Sequence, residues 1–184
     1  MRIVAGIHKG RQLKAVPGKS TRPTTDKVKE AIFQVMGPFF DGGTCLDLFA
    51  GSGSLGIEAI SRGMDNGIFI DKHPKAIQTI HENIRNFKLE DVTEVYRTDA
   101  FRALKAVDKR DLKFNLIFLD PPYGKVNYTN LLQDIEKNQL LTDDGIVYCE
   151  HDPKELFEIP MDNYQILKQG DYGGAIGVTI IKKS

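Results

Sequence analysis

Tryptophan is absent from this 184-residue sequence, which contains only two cysteines and four histidines. Cys45 and Cys149 each lie in an apolar, strand-like run, which predicts two buried free thiols in a reducing compartment. The cysteines and histidines show no metal-ligand spacing, so no metal site is expected. No apolar run approaches the roughly 20 residues that span a bilayer, and the N-terminus lacks the long apolar region of a signal peptide. The sequence therefore predicts a cytoplasmic protein without a membrane segment.

The net charge of the chain is zero, because 25 Lys or Arg residues balance 25 Asp or Glu residues. The two signs are unevenly distributed along the sequence. Residues 1–38 contain eight basic and two acidic side chains, a net charge of +6, so the rest of the chain carries −6. A basic N-terminal segment on an acidic body suggests a polyanionic partner such as a nucleic acid. A charge run is also typical of an ordinary solvated surface, so charge alone leaves the partner open.

Hydrophobic periodicity predicts one doubly wound α/β domain with an N-terminal extension. The extension is a short hairpin, RIVAG and GRQLKAV, followed by a Pro- and Gly-rich loop and a helix that begins at Thr25 or Asp26. Strands are predicted at 45–49, 67–71, 92–98, 114–120 and 145–150, with helices at 54–62, 74–87, 100–107 and 128–138. The last 20 residues, YQILKQG and AIGVTIIKK joined by DYGG, predict an antiparallel hairpin that closes the sheet. The ligand of such a fold lies at the carboxyl ends of the strands.

A glycine-rich turn follows the first predicted strand, with Gly51, Gly53 and Gly56 in G-x-G-x-x-G spacing. Such a turn lets the backbone approach a ligand closely, and both a dinucleotide and S-adenosylmethionine remain candidates on this evidence alone. Asp47, at the end of the same strand, favours S-adenosylmethionine. A carboxylate would repel a diphosphate but suits a cofactor that carries no phosphate and a net positive charge.

Two further acidic residues end the next two predicted strands. Asp71 lies 20 positions beyond Gly51, a spacing that suits hydrogen bonds to ribose hydroxyls. Asp99, with Ala100 beside it, would reach the adenine amino group. Asp71 and Asp99 could instead cap the helices that follow them. Three acids at three successive strand ends favour the cofactor interpretation.

The fourth predicted strand ends in Asp120-Pro121-Pro122-Tyr123, the most specific motif in the chain. Two prolines make this loop stiff and leave its carbonyls free to accept hydrogen bonds. Asp120 and the Pro121 carbonyl would accept hydrogen bonds from one NH₂ group of a nucleobase and direct its lone pair at a sulfonium methyl. Tyr123 would stack on the base, which must be flipped out or unpaired. The alternative is a rigid turn that carries a half-buried tyrosine.

The arrangement resembles the bacterial 16S ribosomal RNA guanine-N2 methyltransferases. Three further segments carry that resemblance: RIVAG-x-x-x-G-R at the start, TRPTTDKVKEAIF at 21–33 and LDLFAGSGSLGIEAISRG at 46–63. It implies a Rossmann-like class I methyltransferase fold, a mostly parallel seven-stranded sheet with helices on both faces and a C-terminal antiparallel hairpin. It divides the chain into a basic hairpin and helix extension at 1–40, which binds RNA and covers the cofactor, and a methyltransferase domain at 41–184.

The resemblance also implies the site residues, the cofactor and the partner. Catalysis would rest on the loop of Asp120, Pro121, Pro122 and Tyr123. The cofactor S-adenosylmethionine would contact Asp47, Phe49, Gly51, Gly53, Asp71, Lys72, Asp99 and Ala100, with Arg22, Pro23 and Thr24 closing over the cofactor and the base. RNA phosphates would contact Arg2, Lys9, Arg11 and Lys14. The implied partner is 16S rRNA within the small ribosomal subunit or its assembly intermediate, bound by a monomer.

Three other functions share part of this pattern. An adenine-N6 DNA methyltransferase would use the same loop and cofactor, but such enzymes usually carry a recognition domain for which 184 residues leave no room. An NAD(P)-dependent oxidoreductase would use the glycine turn, but Asp47 and the Asp-Pro-Pro-Tyr loop argue against it. A cofactor-binding module without activity is disfavoured by the intact loop.

Overall fold

The computed structural model describes residues 1–18, 25–159 and 161–184. Its strands are Thr44–Asp47 (β1), Asn66–Asp71 (β2), Thr93–Arg97 (β3), Phe114–Leu119 (β4), Leu141–His151 (β5), Tyr164–Tyr172 (β6) and Ile176–Lys183 (β7). Its α-helices are Asp26–Met36 (α1), Ser54–Ser61 (α2), Pro74–Asn86 (α3), Ala100–Lys109 (α4) and Tyr128–Lys137 (α5). Single 3₁₀ turns lie at Glu90–Val92 and Met161–Asn163.

The seven strands form one sheet in the order β3-β2-β1-β4-β5-β7-β6. The first five are parallel, whereas β7 is antiparallel to both β5 and β6. The predicted parallel sheet with a closing C-terminal hairpin is therefore confirmed. β5 begins at Leu141, four residues earlier than predicted, because Leu141 pairs with Phe114 ahead of an irregularity in the register. The strand order reverses between β1 and β4, so their carboxyl ends lie side by side at the edge where doubly wound folds bind ligands.

Each face of the sheet has its own apolar core. One core is packed by α1, α2, α3 and the N-terminal arm, and the other by α4 and α5. Phe33 of α1 lies against Phe118 of β4 with 6.1 Å between ring centroids, which seats this helix on the sheet. Cys45 and Cys149 are buried free thiols, as predicted. Within the described ranges, no helix is both long enough and apolar enough to cross a bilayer.

The start of α1 follows from local hydrogen bonding. Thr25 caps the helix, and its Oγ1 accepts a hydrogen bond from the Val28 amide at 3.2 Å. Thr25, one of the two predicted capping residues, is therefore confirmed as the cap. The hydrogen bond satisfies a backbone amide that has no partner within the helix.

The N-terminal arm, residues 1–18, folds back on itself as a short hairpin. Arg2 and Gln12 form an antiparallel bridge, and the amides of Ile3 and Leu13 donate to the carbonyls of Arg11 and Met1, both at 3.0 Å. The amides of Val4 and Ala5 donate to the carboxylate of Glu58 on α2, at 2.9 and 3.1 Å. Because these donors are satisfied by a side chain of the domain, the arm docks on α2 rather than extending as a free hairpin.

Glu58 is the centre of a buried ion cluster that joins the arm, α1 and α2. Its carboxylate accepts from Arg62 Nε at 2.8 Å and faces Lys29 Nζ at 3.5 Å, and all three side chains are at most 1% exposed. Lys29 Nζ also donates to the Arg2 carbonyl at 2.9 Å. Each charge is therefore compensated and hydrogen-bonded, as a buried ion must be.

Glu58→Gln is expected to destabilise the protein by about 3–5 kcal/mol, because it leaves the buried Lys29 without its ion-pair partner and leaves Arg62 with Glu30 alone. Urea unfolding measures the change. The matched control is Glu82→Gln, which removes the surface ion pair with Lys14, 3.0 Å long, and should cost at most about 1 kcal/mol. Equal losses in the two variants would show that the buried cluster does not anchor the arm.

Candidate active site

The turn between β1 and α2 has the glycine geometry that the sequence predicts. Gly53 caps α2 with a φ of 85°, a left-handed conformation that side chains other than glycine rarely adopt. A Cβ at Gly56 would lie 2.4 Å from Cε1 of Phe69, so this glycine lets α2 pack directly on β2. A Cβ at Gly51 would meet no protein atom within 4 Å, so the turn presents open space at its tip.

Asp47 lies beneath this turn, at the carboxyl end of β1. It is 1% exposed, and its Oδ1 is a buried oxygen with no hydrogen-bond partner among the described residues. Burial, together with the nearby charge of Asp71, raises the pKa of Asp47 to about 7, although the Phe49 and Gly56 amides partly offset the shift. A carboxyl group in this state is suited to receive a cation, which would both neutralise it and satisfy its oxygen.

Asp71 is joined to the same turn by hydrogen bonds. Its Oδ2 accepts from the Gly51 amide and its Oδ1 from the His73 amide, both at 2.9 Å. The N-cap of α3 is His73 and no side chain caps this helix, so the alternative in which Asp71 caps α3 is wrong. Because a carboxylate has about four acceptor positions, these two bonds leave capacity for further donors.

The remaining predicted cofactor residues are more peripheral. Asp99 caps α4, accepting from the Arg102 amide at 2.9 Å, so the helix-capping role foreseen as its alternative is present. Ala100 is buried behind it. Phe49 is half-buried against the core beneath α4 and α5, and Lys72 is exposed. Arg22, Pro23 and Thr24 lie outside the described residues.

The Asp-Pro-Pro-Tyr loop follows β4 immediately, next to the end of β1. Pro121 is buried, whereas Pro122 and Tyr123 are exposed, the tyrosine to 41%. The loop closes in a turn in which the Lys125 amide donates to the Pro122 carbonyl at 3.3 Å. Asp120 lies at the base of this loop, and the exposed ring of Tyr123 lies at its tip.

A fifth acidic residue, Glu150, lies at the carboxyl end of β5 and was not identified from the sequence. It is 6% exposed, and its Oε1 accepts from the Tyr148 hydroxyl at 2.9 Å. The rule that selected Asp47, Asp71, Asp99 and Asp120, an acid at the end of a parallel strand, would also have found it. It was missed because it lies in no short motif.

The predicted RNA-binding cations lie on the N-terminal arm, and two of them form ion pairs. Arg2 pairs with Asp26 at 2.7 Å, and Lys14 pairs with Glu82. Arg11 lies 4.3 Å from the ring of Phe87 and donates to the backbone carbonyl of Asn86, the last residue of α3. Lys9 is exposed on the same arm. Arg11 and Lys14 thus lie along α3. The Asn83 side-chain amide donates both to the Lys14 carbonyl, at 3.0 Å, and to the Ser52 carbonyl in the glycine turn, at 2.8 Å, which joins the arm to this turn.

No cluster of three or more His, Cys, Asp or Glu suited to a metal ion occurs in the part of the chain that the structure describes.

Comparison with known proteins identifies the family. A family model described as "Conserved hypothetical protein 95" matches residues 1–181. The chain belongs to this family. A relative of this chain is "Putative rRNA methyltransferase YlbH" of Bacillus subtilis. The two are 50% identical over 183 residues, which cover 100% of this chain and 99% of that protein. "Ribosomal RNA small subunit methyltransferase D" of Escherichia coli K12 is 31% identical over 150 residues, with 82% of this chain and 74% of that protein covered.

A solved structure supports the same assignment. "Putative methyltransferase yhhF" from Escherichia coli superposes with a TM-score of 0.84 at 28% identity, with 100% of this chain and 98% of that chain covered. The family resemblance and the class I methyltransferase fold predicted from the sequence are both confirmed.

Proposed function

We propose that this protein transfers a methyl group from S-adenosylmethionine to the exocyclic N2 amine of a guanine in 16S rRNA of the small ribosomal subunit. The observation that carries the proposal is a juxtaposition at the reversal of strand order. Asp47 and the glycine turn end β1, and the Asp-Pro-Pro-Tyr loop ends β4, its parallel neighbour. The names of two relatives, an rRNA methyltransferase and a small-subunit rRNA methyltransferase, support rRNA as the substrate.

The residues present fit S-adenosylmethionine better than a dinucleotide. Asp47 offers a buried oxygen without a partner to a cationic group, and a diphosphate at the same position would face its negative charge. The ammonium of the cofactor's methionine moiety supplies the required cation. Asp71 accepts from the ribose hydroxyls with its remaining acceptor positions, and Asp99 lies towards the adenine.

When bound, S-adenosylmethionine supplies an electrophilic methyl group on a sulfonium. Asp120 and the Pro121 carbonyl accept hydrogen bonds from the target amine, which orients its lone pair towards that methyl. The sulfonium would be the leaving group and would keep the electron pair of the carbon–sulfur bond. Asp120 or water would take the proton that the methylated nitrogen releases. Tyr123, exposed at the loop tip, stacks on the extruded base.

The proposal assigns separate tasks to the two parts of the chain. Residues 1–40 bind rRNA and cover the cofactor through Arg22, Pro23 and Thr24, and residues 41–184 carry out the chemistry. One copy of the chain acts on the small subunit or its assembly intermediate in the cytoplasm.

Charge reversal of Arg11 and Lys14 to Glu is expected to weaken binding to the small subunit and to flatten its salt dependence. The logarithmic slope should fall by about one unit for each phosphate that the arm no longer binds. Binding measured over a series of salt concentrations gives the slope. The control is reversal of Lys109 and Lys137, in the last turns of α4 and α5 on the opposite face. An unchanged slope in the Arg11 and Lys14 variant would show that the arm serves another purpose.

The proposed activity is tested by methyl transfer from labelled S-adenosylmethionine to small subunits that lack the modification, followed by nucleoside analysis. Free rRNA and duplex DNA are assayed in parallel. Label in N2-methylguanosine from the subunits is the expected result. Label in N6-methyladenine would overturn the choice of base, and cofactor binding without transfer to any substrate would overturn the proposed enzyme.

A further inference from the structure

Glu150 lies beside the Asp-Pro-Pro-Tyr loop, at the carboxyl end of the neighbouring strand. β4 and β5 are parallel, and Leu119 is the register partner of Cys149. Asp120 and Glu150 are therefore the next pair along the two chains, on strands whose axes lie about 4.8 Å apart. Burial raises the pKa of Tyr148 well above its usual value, and the charges of Glu150 and Asp120 both add to the shift. The two carboxylates thus lie within electrostatic range of the same phenol.

Two tyrosines fix the position of Glu150. The Tyr148 hydroxyl donates to Oε1 at 2.9 Å, and the Tyr128 hydroxyl donates to the backbone carbonyl of Glu150. The next residue, His151, contacts Thr179 Oγ1 through Nε2 at 2.9 Å, so its ring belongs to a different hydrogen-bond pair. The bond from Tyr148 therefore orients the Glu150 carboxylate, whose oxygens are hydrogen-bond acceptors.

Two adjacent carboxylates match only one of the nucleobases that carry an exocyclic amine. The Watson–Crick edge of guanine presents two neighbouring donor groups, the N2 amine and N1–H. In adenine and cytosine the ring nitrogen next to the amine is an acceptor, whose lone pair would face a second carboxylate. A site that pairs a donor with a buried acceptor discriminates strongly against an analogue that lacks the donor.

We propose that Glu150 accepts a hydrogen bond from N1–H of the target base and thereby selects guanine over adenine and cytosine. This inference rests on the proposed function, because it requires the target amine to lie at Asp120. Asp120 receives the N2 amine and Glu150 receives the adjacent N1–H. Glu150 is thus a specificity-determining residue, and Tyr148 is the positioning residue that orients it.

The test combines a protein change with a substrate change. Glu150→Gln removes the carboxylate charge at nearly constant shape. On the substrate side, the methylated guanine is first mapped and then replaced by 2-aminopurine, which keeps the 2-amine but has no N1–H. The replacement is introduced by ligating a synthetic fragment into 16S rRNA that is reconstituted into small subunits. Single-turnover methylation rates, the dissociation constant for S-adenosylmethionine and the thermal unfolding temperature are measured for each protein.

The wild type is expected to methylate guanine about 10- to 100-fold faster than 2-aminopurine. Glu150→Gln should reduce that ratio severalfold, because the charge-assisted hydrogen bond to N1–H becomes a neutral one. The loss falls on the guanine rate, while cofactor affinity is unchanged. The matched control is Glu136→Gln, because Glu136 also accepts from a tyrosine hydroxyl, that of Tyr164, but lies at the end of α5 away from the loop. This control should keep the wild-type ratio.

An unchanged guanine to 2-aminopurine ratio in Glu150→Gln would overturn the inference while leaving the proposed function intact. If Glu150→Gln does not fold, the wild-type rates on guanine and 2-aminopurine test the inference. Equal methylation rates on these two bases would exclude an acceptor for N1–H. If the wild type forms no N2-methylguanosine, the proposed function itself has failed. The three outcomes are therefore distinguishable.

Discussion

Asp120→Ala is expected to slow methyl transfer by about 10²–10³-fold, because the target amine loses the acceptor that orients its lone pair. Affinity for S-adenosylmethionine should change by no more than about twofold, since no cofactor contact is assigned to this side chain. Single-turnover rates give the first quantity, and calorimetric titration of the cofactor gives the second.

The control for this variant is Asp108→Ala, which removes an exposed carboxylate from α4. It should leave both the rate and the affinity as in the wild type. If Asp120→Ala instead lost cofactor affinity and rate to the same extent, Asp120 would be a structural residue of the strand end rather than a ligand of the amine.

Asp47→Asn is expected to lose affinity for S-adenosylmethionine roughly thirtyfold or more while making the cofactor-free protein more stable at pH 8. Its pKa lies near 7 in the folded protein against 3.8 for an ordinary aspartate. Between these values the folded state binds more protons than the unfolded chain, so this residue makes stability fall as pH rises from about 4 to 7. The shift corresponds to roughly 4 kcal/mol, which the neutral asparagine should largely recover above pH 7.

Thermal unfolding at pH 4 and pH 8 tests this account of Asp47. The variant should unfold several degrees higher than the wild type at pH 8 and at a similar temperature at pH 4. Asp41→Asn, at an exposed position just before β1, is the control and should change neither stability nor affinity. If Asp47→Asn were less stable than the wild type at pH 8, the ionised Asp47 would not destabilise the folded protein, and the account would be wrong. A gain in stability with loss of binding is the trade-off expected of a site residue.

Much of the fold follows from local patterns in the sequence. Alternating helical and strand periodicities place β1 to β4 and α2 to α5 within a few residues of their observed bounds. The glycine turn also forms as predicted, because Gly53 requires a left-handed φ and Gly56 requires close packing wherever the rest of the chain lies. These features depend on neighbours along the chain, which is why sequence alone specifies them.

The docking of the N-terminal arm could not be predicted in the same way. The sequence predicts its hairpin, but the amides of Val4 and Ala5 donate to Glu58, more than 50 residues away in the sequence. Nothing in the sequence of α2 shows that Glu58 would be buried between Lys29 and Arg62. Arg11 and Lys14 likewise find partners on α3 that a count of charges does not reveal.

The candidate site was predicted in its residue types but not in its hydrogen bonding. The sequence places Asp47, Asp71 and Asp120 at strand ends, and the structure brings the first two to one turn. Strand order explains two features that the sequence does not show. Asp71 accepts from the Gly51 amide because β2 lies beside β1, and Glu150 lies beside Asp120 because β5 pairs with β4. Strand order is a tertiary property, so no motif contains it.

The most direct test of the central claim is an inventory of methylated nucleosides in 16S rRNA from the organism that encodes this chain. Cells in which its gene is deleted are compared with cells that carry the wild-type gene or the Asp120→Ala variant. We predict that the deletion removes one N2-methylguanosine, which the wild-type gene restores and the Asp120→Ala gene does not. An unchanged set of N2-methylguanosines in the deletion strain would contradict the account.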